Sequence, residues 1–187
     1  MTLRNTLERY GSLQIALHWV MLLLLAAVYT CIELKGFFPK GSGLREGLKA
    51  WHSMLGLTVL ALATLRLVLH LAGPRPRIHP APARWQTLAA KLVHFALYVF
   101  MIGMPILGWL MLSADAKTIP FFGWALPPLV DANANLAEQF EEIHESIGKI
   151  GYALIGFHAV AALFHHYFLR DDTLRRMIPL RWQRRAR

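Results

Sequence analysis

The chain has 187 residues, 56% of them hydrophobic and 17% charged, with 20 Lys and Arg against 11 Asp and Glu for a formal net charge of +9. So apolar a composition excludes an ordinary soluble domain and points to a membrane protein. The single cysteine, Cys31, excludes an internal disulfide and any multi-cysteine metal or iron–sulfur centre, and reads as a small apolar core residue.

A bilayer core about 30 Å thick needs about 20 mostly apolar residues in helical form, and four segments qualify. Arg4 and Arg9 precede the first, from about Leu13 to Leu34 (LQIALHWVMLLLLAAVYTCIEL), with His18 near its start. This run is longer than the apolar part of a usual secretory signal and no clear cleavage site follows, so it reads as a retained helix. A connection with Lys35, Lys40, Arg45 and Lys49 leads to the second helix, about Trp51 to Ala72, which has His52 near its start and Arg66 and His70 near its end. The next connection, GPRPRIHPAPARW, is rich in proline and holds Arg75, Arg77, His79 and Arg84.

The third helix runs from about Leu88 to Leu112 and carries His94 and Pro105, the latter expected to kink it where neighbouring helices tolerate proline. The third connection sets Lys117 against Asp115, Asp131, Glu138, Glu141 and Glu142. The fourth helix, about His144 to Leu169, includes His158, His165 and His166, and the tail after it holds seven arginines. No internal repeat or low-complexity segment is present. One all-α domain over residues 1–187, an integral membrane four-helix bundle, is the simplest architecture.

Positive charge clusters before the first helix, between the second and third, and in the tail, which places these regions and both termini in the cytoplasm. The first and third connections then face outward. The tail RDDTLRRMIPLRWQRRAR reads as a topology determinant lying on anionic lipid, not as a nucleic-acid site.

Nine histidines are present, and ionisable groups within spans are costly enough to be functional candidates. On the fourth helix His144 and His158 lie about 40° from alignment and about 21 Å apart along the axis, so they share a face at two depths. Gly148, Gly151 and Gly156 keep that face low, for a flat body or for close helix packing. The orientation above brings His52 to the depth of His144 near the outer side and His18 toward His158 near the inner side. The second match requires the fourth helix to reach past the bilayer.

Each pair could clamp one metal from opposite sides. Tetrahedral zinc would want further Cys, Asp or Glu ligands, whereas opposed neutral imidazoles suit the axial positions of haem iron, so two b-type haems fit best. His94 could compete with His18 as ligand. His165, seven residues beyond His158 on the same face, is placed for a quinone or propionate contact; His166 points away, and His70 and His79 read as interfacial or loop residues. Arg66 could pair with a haem propionate or snorkel to the headgroups.

With LQIALHW around His18, ELKGFFP at residues 33–39, His52 opening the second helix, and IGFHAVAALFHHYFLRDDTLRRMIP at the end, the chain resembles the bacterial di-haem cytochrome b561 proteins of the superoxide oxidase type nearly end to end. The resemblance implies four spans in the bacterial inner membrane and two b haems, the outer on His52 and His144 and the inner on His18 and His158. It also implies an oxidoreductase that takes electrons from superoxide on the periplasmic side, releases oxygen, and passes the electrons to ubiquinone.

Such a reaction needs a cationic funnel for a small anion, and Lys35, Lys40, Arg45 and Lys49 form the candidate, with a solvated charged loop as the plain alternative. Quinone reduction needs a titratable group beside a haem, for which His94 and His165 qualify. Rival readings are a cytochrome b subunit that relays electrons from a periplasmic dehydrogenase to quinone, a non-haem transition-metal transporter, and a structural anchor. The transporter is disfavoured because inverted repeats and acidic residues at mid-membrane are lacking.

Overall fold

The computed structural model describes residues 5–7, 9–74 and 76–178. Arg4, Arg75 and the tail arginines from Arg181 onward lie outside the described residues, and with them part of the charge pattern used for orientation.

Four long helices dominate: α1 Ser12–Leu34, α2 Gly43–Ala72, α3 Arg84–Ala114 and α4 Ala134–Phe164, the last continued by a π-helical turn His165–Leu169. All four are long and apolar enough to cross a membrane, and only 6% to 22% of each apolar window is buried within the protein. The apolar side chains therefore face outward: Leu23 is 69% and Phe95 68% exposed. Water does not stabilise such a surface, whereas lipid does. The fold is mostly helical with four membrane spans.

The helices start earlier than apolarity alone suggests. α2 begins at Gly43 and not Trp51, α3 at Arg84 and not Leu88, and α4 at Ala134 and not His144. Apolarity marks where lipid begins, not where helix begins. The added turns carry Arg45, Glu46 and Lys49, or Glu138, Glu141 and Glu142, which favour helix while staying wet.

Side chains close the exposed amide ends. Ser42 Oγ accepts from the Arg45 N–H (3.4 Å) before α2 and Asn133 Oδ1 from the Leu136 N–H (3.2 Å) before α4, while Gln86 Oε1 accepts from the Ala83 N–H (2.9 Å) at the start of α3. α3 continues through Pro105 to Ala114. The third connection is not wholly irregular: β1 (Ile119–Phe121) and β2 (Trp124–Leu126) pair antiparallel, with Phe121 opposite Trp124.

The chain divides into two compact units. One comprises residues up to Val20, Leu65–Tyr98 and residues from Gly151 onward; the other comprises Met21–Thr64 and Val99–Ile150. In the first, Leu17, Leu97 and Asp171 are buried, Trp19 Nε1 donates to the Met177 carbonyl (2.7 Å), and Arg176 Nη1 donates to the Pro76 carbonyl (2.8 Å). In the second, Met21, Val59 and Ala63 are buried, and the Tyr29 hydroxyl of α1 donates to the Gly148 carbonyl of α4 at 2.8 Å.

Tyr29→Phe removes that interhelical bond without changing the ring. It is expected to lower the unfolding free energy in detergent by about 0.5–1.5 kcal/mol, read from circular dichroism during denaturant titration. A variant as stable as the parent would show that the hydroxyl contributes nothing.

Candidate functional site

In the second unit α2 and α4 present His52 and His144 to one another, with ring centroids 6.1 Å apart and ring planes at 70°. His52 Nδ1 lies 3.0 Å from the Val28 carbonyl of α1. A carbonyl only accepts, so Nδ1 carries the proton and Nε2 keeps its lone pair. His144 Nδ1 is buried and has no hydrogen-bond partner among the described residues, a state that calls for an explanation in an apolar surrounding.

Glycines shape the space around this pair. On α3, a Cβ added at Gly108 would stand 3.2 Å from His144 Cε1, so glycine lets the ring lie against that helix. One turn beyond His52 an added Cβ at Gly56 meets nothing within 4 Å, and one turn beyond His144 at Gly148 it meets only Met104 Cε, at 3.8 Å. Residues four apart share a helix face, so each histidine stands beside open surface. Gly108 escaped the sequence reading, because nothing in the LGW context around it marks a ring packed from another helix.

In the first unit His18 of α1 and His158 of α4 have ring centroids 6.2 Å apart at 78°. α4, which carries His158, continues through its π turn to Leu169. His94 of α3 comes closer still to His158, at 5.3 Å between ring centroids. Arg66 Nη1 lies 2.9 Å from His18 Nδ1. Guanidinium only donates, so His18 Nδ1 is the acceptor here. Arg66 thus turns into the protein toward the imidazole, and Gln14 Nε2 donates to its carbonyl at 3.5 Å.

These distances define what the pairs can hold. Metal–imidazole bonds of about 2 Å on either side of one ion, with about 1 Å from nitrogen to ring centre, put the centroids about 6 Å apart. Both pairs have that spacing. Among the described residues no group of three or more His, Cys, Asp or Glu is placed to hold an ion. Two-nitrogen sites suit the axial positions of haem iron better than tetrahedral zinc.

The four cations expected in one loop are divided by the structure: Lys35 and Lys40 lie between α1 and α2, whereas Arg45 and Lys49 stand in the first turns of α2. Arg45 Nη1 donates to the carbonyls of Lys35 (2.9 Å) and Phe38 (3.0 Å), which fastens the turn after α1. Lys49 Nζ pairs with Glu46 at 2.9 Å. Lys40 is exposed and Lys35 half-buried.

Beyond the π turn, His165 Nδ1 lies 2.5 Å from Asp171 Oδ2, and Asp171 Oδ1 accepts from the Thr173 N–H at 2.9 Å. Burial alone would raise the Asp171 carboxyl, but hydrogen bonds from His165 and Thr173 outweigh it and hold the group below its ordinary value. Arg170, in left-handed conformation at φ 53°, turns the chain back so that this contact closes. Asp171 was not singled out in the sequence; an acidic pair inside a basic tail was the available signal. His166 Nδ1 is buried without a partner among the described residues, the His70 ring lies 6.5 Å from that of Tyr98, and the His79 N–H donates to Asp172 Oδ1.

Over residues 9–180 the sequence matches the family described as prokaryotic cytochrome b561. The chain belongs to that family. It is 39% identical over 175 residues to cytochrome b561 homolog 1 of Escherichia coli (strain K12), covering 94% of this chain and 99% of the relative. It is 36% identical over 172 residues to the probable superoxide oxidase CybB of Yersinia pestis, covering 92% and 97%. Cytochrome b561 homolog 2 of Escherichia coli (strain K12) is 29% identical over 186 residues, covering 95% of each. A member of the cytochrome b561 family is a membrane electron-transfer protein, and membership implies haem b.

The depressed Asp171 carboxyl contributes stability that is present above the ordinary carboxylate range and lost as pH falls through the folded-state value. Asp171→Asn is therefore expected to melt below the parent near neutral pH, with the gap closing as pH drops below about 4. Thermal melts in detergent across pH check this; a gap that persists unchanged into acid would deny the carboxylate its role.

Proposed function

We propose that this cytochrome b561 family member is a di-haem oxidoreductase of the bacterial inner membrane, with both termini cytoplasmic. It takes electrons from superoxide on the periplasmic side, releases oxygen, and passes the electrons to ubiquinone. One observation carries the reading: each unit holds an imidazole pair at nearly the same separation, 6.1 and 6.2 Å, each pair suited to one metal. Likeness to a relative named a probable superoxide oxidase supports the substrate.

On this reading His52 and His144 hold the outer haem b, and His18 and His158 the inner one. When bound, haem b supplies a one-electron couple in each site. The chain's own groups do the rest. His52 anchors its Nδ1–H on the Val28 carbonyl and so leaves Nε2 for metal, the arrangement by which a second partner orients a ligating imidazole.

His18, once bound through Nε2, would carry its proton on Nδ1 and could no longer accept from Arg66. The guanidinium would then need an anionic acceptor, and a haem propionate is one.

Lys35 draws the superoxide anion toward His52 and His144, with Lys40 extending the field. Lys49, neutralised by Glu46, adds less, and Arg45 shapes the turn. Two superoxide ions yield two oxygen molecules and two electrons; with two protons these convert one ubiquinone to ubiquinol. His165, held by Asp171, is the group we assign to the proton side of that reduction, with His94 as the other candidate. A second ligand assignment has its own support: the His94 ring is nearer His158 than the His18 ring is.

Pyridine haemochrome counts on purified variants test the scaffold. The parent is expected to hold two haems per chain, His52→Ala or His144→Ala one, His18→Ala one, and His94→Ala two. Retention of both haems by His52→Ala and His144→Ala would end the reading, while loss in His94→Ala and retention in His18→Ala would transfer the inner ligand to His94.

For the substrate, stopped-flow mixing with superoxide is expected to show Lys35→Gln slowed by about threefold to tenfold at low ionic strength, converging with the parent in high salt. Lys49→Gln should change the rate less. Equal effects of the two substitutions would remove Lys35 from its assigned place.

A further inference from the structure

The hairpin of the third connection turns through Phe122 and Gly123, both at positive φ, 46° and 90°. Two-residue turns of this kind favour Asn, Asp or Gly, because left-handed backbone is sterically unfavourable for a bulky residue. A phenylalanine nevertheless occupies the first position, with 51% of its surface exposed, and Trp124 two residues on is 79% exposed. In water this turn is doubly unfavourable, strained in its backbone and apolar on its surface.

The depth of the hairpin follows from its contacts. The Phe122 ring lies 6.3 Å from the Trp51 ring, edge to face, and the Phe122 N–H is 3.3 Å from Met54 Sδ. On α2, Trp51 is the point where the charged turn of Arg45, Glu46 and Lys49 gives way to an apolar run with no Asp, Glu, Lys or Arg before Arg66. The tip of the hairpin is therefore held at the level where water gives way to hydrocarbon. Its base is fastened to α3, since Trp109 Nε1 donates to the Pro127 carbonyl (2.9 Å) and the Leu129 N–H to Ser113 Oγ (3.1 Å). Trp51 is itself 50% exposed, so two aromatic rings in contact, with Trp124 two residues along the same hairpin, face outward here. Tryptophan and its aromatic neighbours are stabilised at that boundary by an apolar body in the acyl region and a polar edge among headgroups.

We propose that the hairpin Ile119–Leu126 is a lipid-interface foot, with Phe122 and Trp124 seated in the headgroup–acyl boundary of the leaflet nearest His52. The occupant of this surface is lipid, because the contacts to Trp51 and Met54 fix Phe122, and with it the tip of the hairpin, at lipid depth. The strain at Phe122 is then offset by burial of its ring in the interface.

The test uses the full, haem-loaded chain on a Cys31→Ser background, reconstituted at low protein density in phosphatidylcholine vesicles. W124C and F122C are compared with A132C, an exposed position of the same connection, for their rate of reaction with a membrane-impermeant sulfonated maleimide. Both probe positions are expected to react about tenfold or more slowly than A132C in vesicles, and at rates close to it after unfolding in dodecyl sulfate. Because vesicles contain this chain and lipid alone, slow reaction at positions this exposed identifies lipid as the cover. Rates equal to A132C in vesicles would overturn the proposal and leave the hairpin as a water-facing surface open to a protein partner. The haem count of each variant, unchanged from the background, shows that the scaffold is intact in either outcome.

Discussion

Two imidazoles from different helices facing each other across about one metal's width is the constraint on which the rest of this structure depends. Such groups are expensive inside a membrane unless something answers them. The glycines at 56, 108 and 148 acquire a reason in that light: they keep side-chain bulk away from one pair, where any larger residue at Gly108 would press on the His144 ring. The anchoring of His52 on the Val28 carbonyl acquires one too, since a ring with one nitrogen committed can offer only the other.

The two pairs are answered differently by their surroundings. His52 rests on the Val28 carbonyl, and the His144 ring lies against Gly108. His18 is met by an arginine directed at its Nδ1, a contact that an iron-bound ring could not keep. The same logic separates the loop's cations: of four positive charges in one short stretch, one fastens a turn and another is neutralised by a neighbour within its own helix. Counting charges in the loop overstates the field it projects.

Asp171 and the hairpin are the two features that do not follow from the histidine pattern. Asp171 accepts from a histidine seven residues beyond His158, through a π turn and a left-handed arginine that fold the chain back on itself. The hairpin places aromatic rings on a backbone that disfavours them. Both are local departures from regular helix, and departures of this kind concentrate where a protein meets a ligand or a boundary.

The sequence by itself determined the class of protein, the four spans and the histidines worth attention, because lipid imposes a length and an apolarity that a chain displays residue by residue. It also indicated the facing pairs, since helical periodicity and alternating direction fix face and depth. Helix starts were not legible: residues such as Arg45 and Glu138 extend helices beyond lipid, where hydropathy is silent. Only the tertiary structure decided that Arg66 turns inward to His18, that His94 also approaches His158, that Gly108 seats the His144 ring, and that Asp171 holds His165. Each of those is a contact between residues distant in sequence or folded across an irregular turn, and its geometry depends on how neighbouring helices pack and rotate, which no periodicity in a single strand of text encodes.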